Sequence, residues 1–313
     1  MSARIFFIGH TSIDQIKNKN GTKEQAGGAA LYAAFGARTI CNEVGIVTAV
    51  GDDYPFRDVF KDFESTVKFV KGSSTQFMIN YDEDWNASYK SLSIGSGSKI
   101  TTRDILEVLG RGAKIIHLAP MNPPKVVKMV RSIKARRGGD LLLSINSNIH
   151  YMDVKSNRKA ILEAAALADI FILNDEELHA LTGIEVVSSA IKAVKTKMLV
   201  LTLGEVGTIV SSPEWTEFIP ALACVTKKPI DVTGAGDTWS GSFLASYSIT
   251  KSWIKAVSFA SVISAIKCTG WNFEKIRSLR FENVEDIYDW AVARKEKGRQ
   301  LTLSDALRTR REG

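Results

Sequence analysis

Three small residues stand immediately before an acid in the segment KKPIDVTGAGDTWSGSFLASYS (227–248). The small residues are Gly234, Ala235 and Gly236, and the acid is Asp237. Aromatic side chains recur at every fourth position after them, which predicts a helix that begins at about residue 236. The first amides of a helix lack intrahelical acceptors and carry positive potential, and little side-chain bulk covers them here. The segment therefore predicts an anion-binding turn.

Asp237 has two interpretations. An acid in the first turn of a helix is common as a capping group, because it lies at the positive end of the helix dipole. Beside a cradle for a phosphoryl group, the same carboxylate would accept the proton of an attacking hydroxyl. The residue taken alone favours capping, and the adjacent small residues favour catalysis.

The composition is that of an ordinary globular protein. The 313 residues are 45% hydrophobic and 24% charged, which is ample for one large α/β domain over residues 1–313. Lysines and arginines number 41 against 34 acids, so the formal charge is +7. Because no block of five or six like charges occurs, we expect a solvated surface and no nucleic-acid partner.

Cysteine usage and hydropathy predict a cytoplasmic protein. Cys41, Cys224 and Cys268 form no CxxC pair, which suits a reducing compartment. The first apolar run is too short for a signal peptide, and no run reaches the ~20 residues that span a bilayer. We therefore expect no membrane partner.

Short apolar runs alternate with longer amphipathic ones. Such a rhythm predicts a doubly wound, mostly parallel sheet with helices on both faces. The predicted strands are 4–9, 43–51, 113–120, 140–146, 168–174 and 197–204. The clearest predicted helices are 123–137, 156–167 and 175–182.

Two polar segments interrupt this rhythm. Residues 74–95 contain two extended runs around DEDWN, which predicts a β-hairpin. Residues 10–26 contain a turn at KNKNGTKEQ. Together they predict a small β-sheet that covers one end of the α/β body as a lid.

Common nucleotide and hydrolase motifs do not occur in the sequence. It contains no G-x-x-x-x-G-K-[ST], no G-x-G-x-x-G after the first strand and no G-x-S-x-G. Its four histidines lack HExxH spacing, so they are not expected to bind zinc.

Five segments together resemble the PfkB (ribokinase-like) family of carbohydrate and nucleoside kinases. Residues 231–245 are similar to its carboxyl-terminal signature, in which D-T-x-G-A-G-D opens a helix; Val232 replaces the usual Thr. The segments follow the family's order over about residues 4–270. The other four are GGAALYAAFGAR (27–38), VGIVTAVGDDYP (44–55), ADIFILNDEELHALTG (168–183) and LVLTLGEVGTIV (199–210).

The resemblance implies an ATP-dependent kinase in which Asp237 is the catalytic base. The amides of 234–236 would stabilise the negative charge that develops on the phosphoryl group. Asn174 and Glu177 match the N-x-x-E motif, which holds Mg²⁺ mostly through water. The same pair also suits a helix cap, because NDEE is a good helix start.

Further positions follow from the resemblance for the nucleotide and a cation. Thr202, Gly204 and Gly207 match the turn that contacts the nucleotide. Ser261 falls where the family packs a helix against adenine. Many relatives also bind a monovalent cation such as K⁺ near the first acid of the signature, here Asp231.

For the acceptor site the resemblance implies an acid after the first strand that accepts two hydrogen bonds from a vicinal diol. Two glycines would let the backbone approach the sugar and would hinge the lid. The residues assigned to the acceptor are Asp14, Gly27, Gly28, Tyr32 and Asn148.

The acceptor region departs from the sugar-kinase pattern. Tyr32 stands where many sugar kinases carry Asn, and Asn146 and His150 replace the acid and the arginine of D-P-N-x-R. Aromatic residues could stack there on a neutral ring. They are Tyr32, Tyr81, Trp85 and Tyr89.

We therefore expect an uncharged polyol or sugar as acceptor, with an inositol-like cyclitol favoured. The alternatives are a nucleoside kinase and a nucleotide-binding sensor with impaired turnover. A homodimer through the lid is a further expectation, because pairing would protect the exposed strand edges.

Overall fold

The structure is a computed structural model that describes residues 4–136, 138–222 and 228–291. Strands and helices alternate along these residues. The strands are β1 (Ile5–Ile8), β2 (Ser12–Asn18), β3 (Gly21–Gly27), β4 (Val44–Gly51), β5 (Glu64–Val70), β6 (Thr75–Tyr81), β7 (Ala87–Ser93), β8 (Ile115–Leu118), β9 (Leu142–Asn146), β10 (Ile170–Asn174), β11 (Leu199–Thr202), β12 (Gly207–Ser211) and β13 (Thr216–Pro220). The helices are α1 (Ala29–Arg38), α2 (Thr102–Gly110), α3 (Pro123–Arg136), α4 (Lys155–Leu167), α5 (Asp175–Thr182), α6 (Val187–Ala193), α7 (Ala235–Thr250) and α8 (Trp253–Cys268).

Nine strands form one mostly parallel sheet. Their order is β13-β12-β11-β10-β9-β8-β1-β4-β5. All neighbours from β5 to β11 pair parallel, and β12 and β13 add an antiparallel edge. The arrangement confirms the predicted doubly wound α/β class.

Both faces of this sheet are covered, which explains why its central strands are apolar at most positions. Ile5 and Phe7 belong to one buried cluster, together with side chains of α1, α7 and α8. Phe6 and Ile8 point to the opposite face and belong to a second cluster with α2 to α6. Alternate residues of one strand thus stabilise two separate cores.

Four strands form a second, smaller sheet in the order β3-β2-β6-β7. The hairpin expected at 74–95 is present as β6 and β7, and Asp82 closes its turn by accepting the amides of Asp84 and Asn86 at 2.9 and 2.8 Å. The turn expected within 10–26 joins β2 to β3. The second sheet is thus made of the two segments that interrupt the α/β rhythm.

Helices α1 and α7 approach each other unusually closely because two glycines lie at their contact. A Cβ atom on Gly241 would lie 1.8 Å from the carbonyl oxygen of Ala33. A Cβ atom on Gly36 would lie 2.3 Å from the carbonyl oxygen of Thr238. The start of α1 and the start of α7 are therefore held at one fixed separation.

Some sequence features lie outside the described residues, including Cys224 and position 137, the last residue of the predicted helix 123–137. Among the helices that the structure describes, none is both long and apolar enough to cross a membrane.

Candidate active site

Several polar residues lie where parallel strands end. Asn146, Asn174 and Thr202 are the last residues of β9, β10 and β11. Asp14 lies in β2, directly after β1. In open α/β sheets the carboxyl ends of the strands form the ligand-binding edge, so these side chains belong to one candidate cleft.

The start of α7 is a left-handed turn that requires glycine. Gly234 precedes the helix with φ +70°, and a Cβ atom there would lie 2.3 Å from the ring of Tyr32. Only glycine suits such a position. The sequence prediction of a helix at about residue 236 is confirmed within one residue.

The free amides of this turn differ from the expected set. The Ala235 amide donates to the carbonyl oxygen of Val232 at 3.1 Å, so it is engaged within the turn. For the amides of Gly236 and Asp237, no acceptor lies among the described residues. An incoming anion would therefore meet the amides of Gly236 and Asp237 before that of Ala235.

Asp237 lies half-buried in the first turn of α7. Burial raises the pKa of its carboxyl to about 6, and a hydrogen bond with the Asn146 side chain opposes that rise. Asn146 also has a buried amide oxygen with no protein partner among the described residues. Sequence reasoning missed Asn146 as a partner of the base, although its place at a strand end was a usable signal.

Asp14 is buried, with 2% of its surface exposed, and accepts a hydrogen bond from the Ser12 hydroxyl at 2.6 Å. Burial raises its pKa to about 7; the charges of Asp231 and Asp237 raise it further, and the Ser12 bond lowers it. The carboxylates of Asp14 and Asp237 therefore sense each other across the cleft.

The two glycines of the GG signature have packing roles in the structure. A Cβ atom on Gly27 would lie 1.8 Å from the Asp14 carboxylate. Gly28 has φ +103°, and a Cβ atom there would lie 2.2 Å from the carbonyl oxygen of His10. Gly27 thus makes room for the acid, and Gly28 makes room for the chain after β1. This differs from the expectation that both glycines admit the sugar.

Asn174 and Glu177 form a reciprocal helix cap at the start of α5. The Asn174 side chain accepts the Glu177 amide at 2.7 Å, and the Glu177 carboxylate accepts the Asn174 amide at 3.0 Å. The capping interpretation is confirmed. Burial, with a contribution from Asp237 and Glu176, raises the pKa of Glu177 to about 8 against the amide bond that lowers it. Asp237 and Glu177 are therefore close enough to interact.

The chain is similar to known kinases over most of its length. A family model for pfkB family carbohydrate kinases matches residues 61–271. The chain belongs to this family. A cytidine kinase from Thermococcus kodakarensis is 30% identical over 251 residues, which cover 77% of this chain and 87% of that protein.

Solved structures show that the fold is ribokinase-like. An adenosine kinase from Sinorhizobium meliloti superposes with a TM-score of 0.76 at 18% identity, over 93% of this chain and 100% of that one. A ribokinase from Giardia lamblia gives a TM-score of 0.76 at 19% identity, over 92% and 99%. The pfkB chain is thus an ATP-dependent kinase whose relatives include both nucleoside and sugar kinases.

The candidate cleft of this pfkB chain fits a magnesium ion that keeps its water. Across the described residues, no cluster of three or more His, Cys, Asp or Glu could cage a metal alone. Glu177 offers a hard carboxylate, and Asn146 offers a buried oxygen with no protein partner among the described residues. Few protein ligands plus water and phosphate oxygens are the usual magnesium arrangement.

Two acceptor residues predicted from the pfkB resemblance have other roles. Tyr32 is 1% exposed, its ring centroid lies 4.7 Å from that of Phe273, and its hydroxyl accepts Gln25 Nε2 at 3.1 Å. It is a core residue and cannot stack on an acceptor. Asn148 caps a short 3₁₀ turn by accepting the His150 amide at 3.0 Å.

Other aromatic residues remain near the cleft. Tyr89 of β7 is 41% exposed, and its ring centroid lies 5.0 Å from that of His150, which follows β9. This contact joins the small sheet to the large one. Trp85 packs edge-on against Tyr81 and under the ammonium of Lys19, so it belongs to the hairpin turn.

The nucleotide positions expected from the pfkB resemblance fall into two groups. Thr202, Gly204 and Gly207 form the tight connection from β11 to β12, where Gly204 has φ +56° and Gly207 has φ +147°. Ser261 instead donates its hydroxyl to Val257 within α8, at 2.7 Å. Ser264, one turn later, donates to the carbonyl oxygen of Ala235 at 2.9 Å and so touches the start of α7.

Asp231 forms a buried ion pair that the sequence did not reveal. Lys267 Nζ lies 3.3 Å from its carboxylate and donates to its main-chain oxygen at 2.8 Å. Both side chains are 0% exposed. Although burial alone would raise the pKa of Asp231, Lys267 and hydrogen bonds from Thr233 and Gln25 hold it below its ordinary value.

Proposed function

We propose that this kinase transfers the γ-phosphoryl group of ATP to a hydroxyl of a small uncharged acceptor, with Asp237 as the base. The observation that carries the proposal is the start of α7, where a carboxyl of raised pKa adjoins amides that have no acceptor among the described residues. A base and an anion site on adjacent atoms are what in-line phosphoryl transfer requires.

In the proposed reaction the acceptor oxygen attacks the γ-phosphorus as ionised Asp237 takes its proton. The new bond joins that oxygen to phosphorus, and the bond from phosphorus to the ADP oxygen breaks. The free amides of Gly236 and Asp237 stabilise the charge that develops on the phosphoryl oxygens. Asn146 orients the carboxylate through its hydrogen bond.

The nucleotide would lie along the carboxyl ends of β10 and β11, with Thr202, Gly204 and Gly207 against it and Ser264 closer to α7 than Ser261. Glu177 and Asn146 would hold Mg²⁺ through water, with Asn174 fixing Glu177 in place. When bound, the ion neutralises charge on the phosphates. The use of ATP agrees with the cytoplasmic location expected from the sequence.

Within this class we propose a ribonucleoside as the preferred acceptor, ahead of the sugar or cyclitol expected from the sequence. The cyclitol preference depended partly on Tyr32, which is buried in the core. Asp14 is 2% exposed in this structure, and once the proposed lid opens its carboxylate would accept two hydrogen bonds from a vicinal diol, as ribose offers. The exposed ring of Tyr89 remains for a base, and the cytidine kinase relative supports this choice.

We further propose that the small sheet acts as a lid on a single domain. It brings Asp14 and Tyr89 to the cleft from two of its strands. Closing it over bound substrates would exclude water, so that ATP is not hydrolysed.

The outer strand β7 is exposed along most of its length, and Leu92 and Ile94 are each 41% exposed. We propose that this edge pairs with a second copy of the chain. Light scattering should give the mass of a dimer, and Leu92→Lys should reduce it to that of a monomer. A monomeric mass for the unaltered protein at working concentration would refute the pairing.

The test of function is a panel of ribonucleosides, sugars and cyclitols incubated with ATP and Mg²⁺. At least one acceptor should yield ADP and a phosphorylated product, with ribonucleosides fastest. Asp237→Asn should lower kcat by about 10²–10⁴-fold, because it removes the base, while nucleotide affinity is kept. Asp289→Asn, an exposed acid outside the cleft, is the matched control and should keep full activity.

Near-full activity of Asp237→Asn would refute the assigned base. Tight ATP binding with no product from any acceptor would instead identify a nucleotide-binding sensor. A cyclitol or sugar that outperforms every nucleoside would restore the acceptor expected from the sequence.

A further inference from the structure

A lysine ammonium lies in the interior behind the anion-binding turn. Lys267, near the end of α8, is 0% exposed. Its Nζ donates to the main-chain oxygen of Asp231 at 2.8 Å, lies 3.3 Å from the Asp231 carboxylate and lies 5.3 Å from the centroid of the Tyr32 ring. A buried ammonium is tolerated only with such compensation, so the pair is a built feature of the fold.

Asp231 is tied to the turn as well as to Lys267. One of its carboxylate oxygens accepts the Thr233 amide at 2.9 Å. The other accepts Gln25 Nε2 and the Asn272 amide, each at 3.2 Å. The ammonium thus balances the charge of a carboxylate that fixes the residues immediately before Gly234.

We propose that the Lys267 ammonium is a built-in replacement for the monovalent cation that many pfkB relatives bind beside the corresponding acid. This inference rests on the proposed phosphoryl transfer. A main-chain carbonyl and a carboxylate are hard oxygen ligands suited to K⁺, and here both already contact a fixed positive charge. A second cation at these oxygens would be repelled by the ammonium.

Lys267 acts as a positioning residue. It holds Asp231, Asp231 holds the Thr233 amide, and the chain then enters the turn of free amides. Tyr32 lies between the two parts, because its ring is over Lys267 Nζ and against Gly234. The cation therefore shapes the phosphate-facing turn without contacting a substrate.

The first test compares salts on the unaltered enzyme. Initial rates are measured in the chlorides of potassium, sodium and choline at one ionic strength of about 0.15 M. We expect the three rates to agree within about twofold, because the Lys267 side chain already supplies the positive charge. A rate at least tenfold higher in potassium than in choline would overturn it.

The second test removes the ammonium and offers a substitute. Lys267→Ala should lower kcat/KM by about 10-fold or more in choline chloride, because Asp231 is left uncompensated. Potassium or ethylammonium chloride should restore much of the loss, and choline should restore none. Lys255→Ala, which alters a lysine of the same helix whose side chain is 43% exposed, is the matched control and should show neither effect.

A stability measurement separates this inference from the proposed function, because it needs no acceptor. Thermal unfolding of the unaltered protein should not depend on the monovalent salt, whereas potassium should raise the Tm of Lys267→Ala above its value in choline. If Lys267→Ala does not fold, Lys267→Met combined with Asp231→Asn removes both charges and should fold without any response to potassium. The proposal would be overturned if the Tm of Lys267→Ala were the same in potassium and choline chloride. It would also be overturned if potassium raised the Tm of the double variant.

Discussion

Four carboxyl groups around the cleft have different pKa values because their surroundings differ. Asp237, Asp14 and Glu177 have pKa values raised to about 6, 7 and 8, because burial is not offset by a cation. The Asp231 pKa is lowered, because Lys267 lies beside it. Near pH 7 the Glu177 carboxyl is therefore largely protonated until a cation displaces the proton, Asp237 is largely ionised, and Asp231 stays ionised.

The pH dependence of the reaction follows from these values. In the proposed reaction Asp237 must be ionised to accept a proton, and Asp14 must be ionised to accept two hydrogen bonds from the acceptor. Both groups become protonated as pH falls, so we expect kcat/KM to be highest above pH of about 7 and to fall through the window from about 7 to about 6. Initial rates across this window measure the effect.

Asp14→Asn is the control for that profile. Of the two groups assigned to this acid limb, the variant retains only Asp237, so its acid limb should move down to about pH 6 even though its rates are lower. An acid limb that stays at the position of the unaltered enzyme would contradict the assignment of the upper value to Asp14.

Some residues of the candidate site belong to local sequence motifs, whereas others act through contacts with residues that are distant in sequence. Asp237 and the pair Asn174–Glu177 could be found because their chemistry depends on neighbours within a few positions. The pairings of Asn146 with Asp237 and of Lys267 with Asp231 were not predicted, because the partners lie far apart in sequence. The stacking role predicted for Tyr32 was wrong, since aromatic character alone does not tell a core ring from an exposed one.

Two helices of this molecule begin with the same reciprocal cap but lie in different surroundings. Asn174 and Glu177 cap α5 at the cleft, and Thr101 and Asp104 cap α2, where Asp104 also binds Lys68. Comparing the two caps separates a structural role from a role in catalysis.

Glu177→Gln should lower kcat and raise the Mg²⁺ requirement by about tenfold or more, because the carboxylate charge is lost. The amide oxygen of Gln can still accept the Asn174 amide, so Tm should change little. Asp104→Asn is the matched variant, and it should lose about 1–2 kcal/mol of unfolding free energy with unchanged kcat. Equal effects of both variants on kcat would count against a metal role for Glu177.

Gly234, just before α7, and Gly236, in its first turn, differ in whether they tolerate a side chain. Gly234 has φ +70° and no room beside Tyr32, so Gly234→Ala should cost about 2–4 kcal/mol of unfolding free energy. A Cβ atom on Gly236 would meet no neighbouring side chain within 4 Å, and the residue lies within the helix, so Gly236→Ala should stabilise by about 0.5–1 kcal/mol. Denaturant unfolding measures both.

The same pair tests the anion site. The methyl group of Gly236→Ala would lie beside the free amides and should lower kcat/KM despite the gain in stability. A Gly236→Ala enzyme that is both more stable and fully active would show that phosphate does not approach this side of the turn.

Apolar runs predicted the central strands well and the outer ones poorly. The six predicted strands correspond to β1, β4, β8, β9, β10 and β11, and each observed strand is shorter than its predicted range at one or both ends. Strands β5 and β13 were not predicted, because they lie at the sheet edges and are largely solvent-exposed or polar. An edge strand needs no continuous apolar run, so its signal is weak.

At the scale of the whole molecule, burial of the Asp14 carboxylate destabilises the folded state. The unfolded state releases the Asp14 proton at about pH 4 and the folded state at about 7, so stability falls as pH rises between them. Asp14→Asn should therefore raise the unfolding free energy at pH of about 8 by about 1–3 kcal/mol, and the gain should vanish near pH 4.

Thermal unfolding of both proteins at the two pH values measures this difference. Asp289→Asn, which alters an exposed acid, should give the same Tm as the unaltered protein at both. A stabilisation by Asp14→Asn that is equal at both pH values would show that charge burial is not its cause.

The contact of α1 with α7 through Gly36 and Gly241 also limits how the enzyme can move. Backbone touches backbone there, so the two helices cannot slide or separate without losing that fit. We therefore expect the proposed acceptor end after Gly28 and the proposed phosphoryl end at Gly234 to move together as one rigid body. If the four-stranded sheet is the lid, as proposed, we expect opening to come from that sheet, and a methyl group at position 241 should misalign the two proposed reacting ends without touching either.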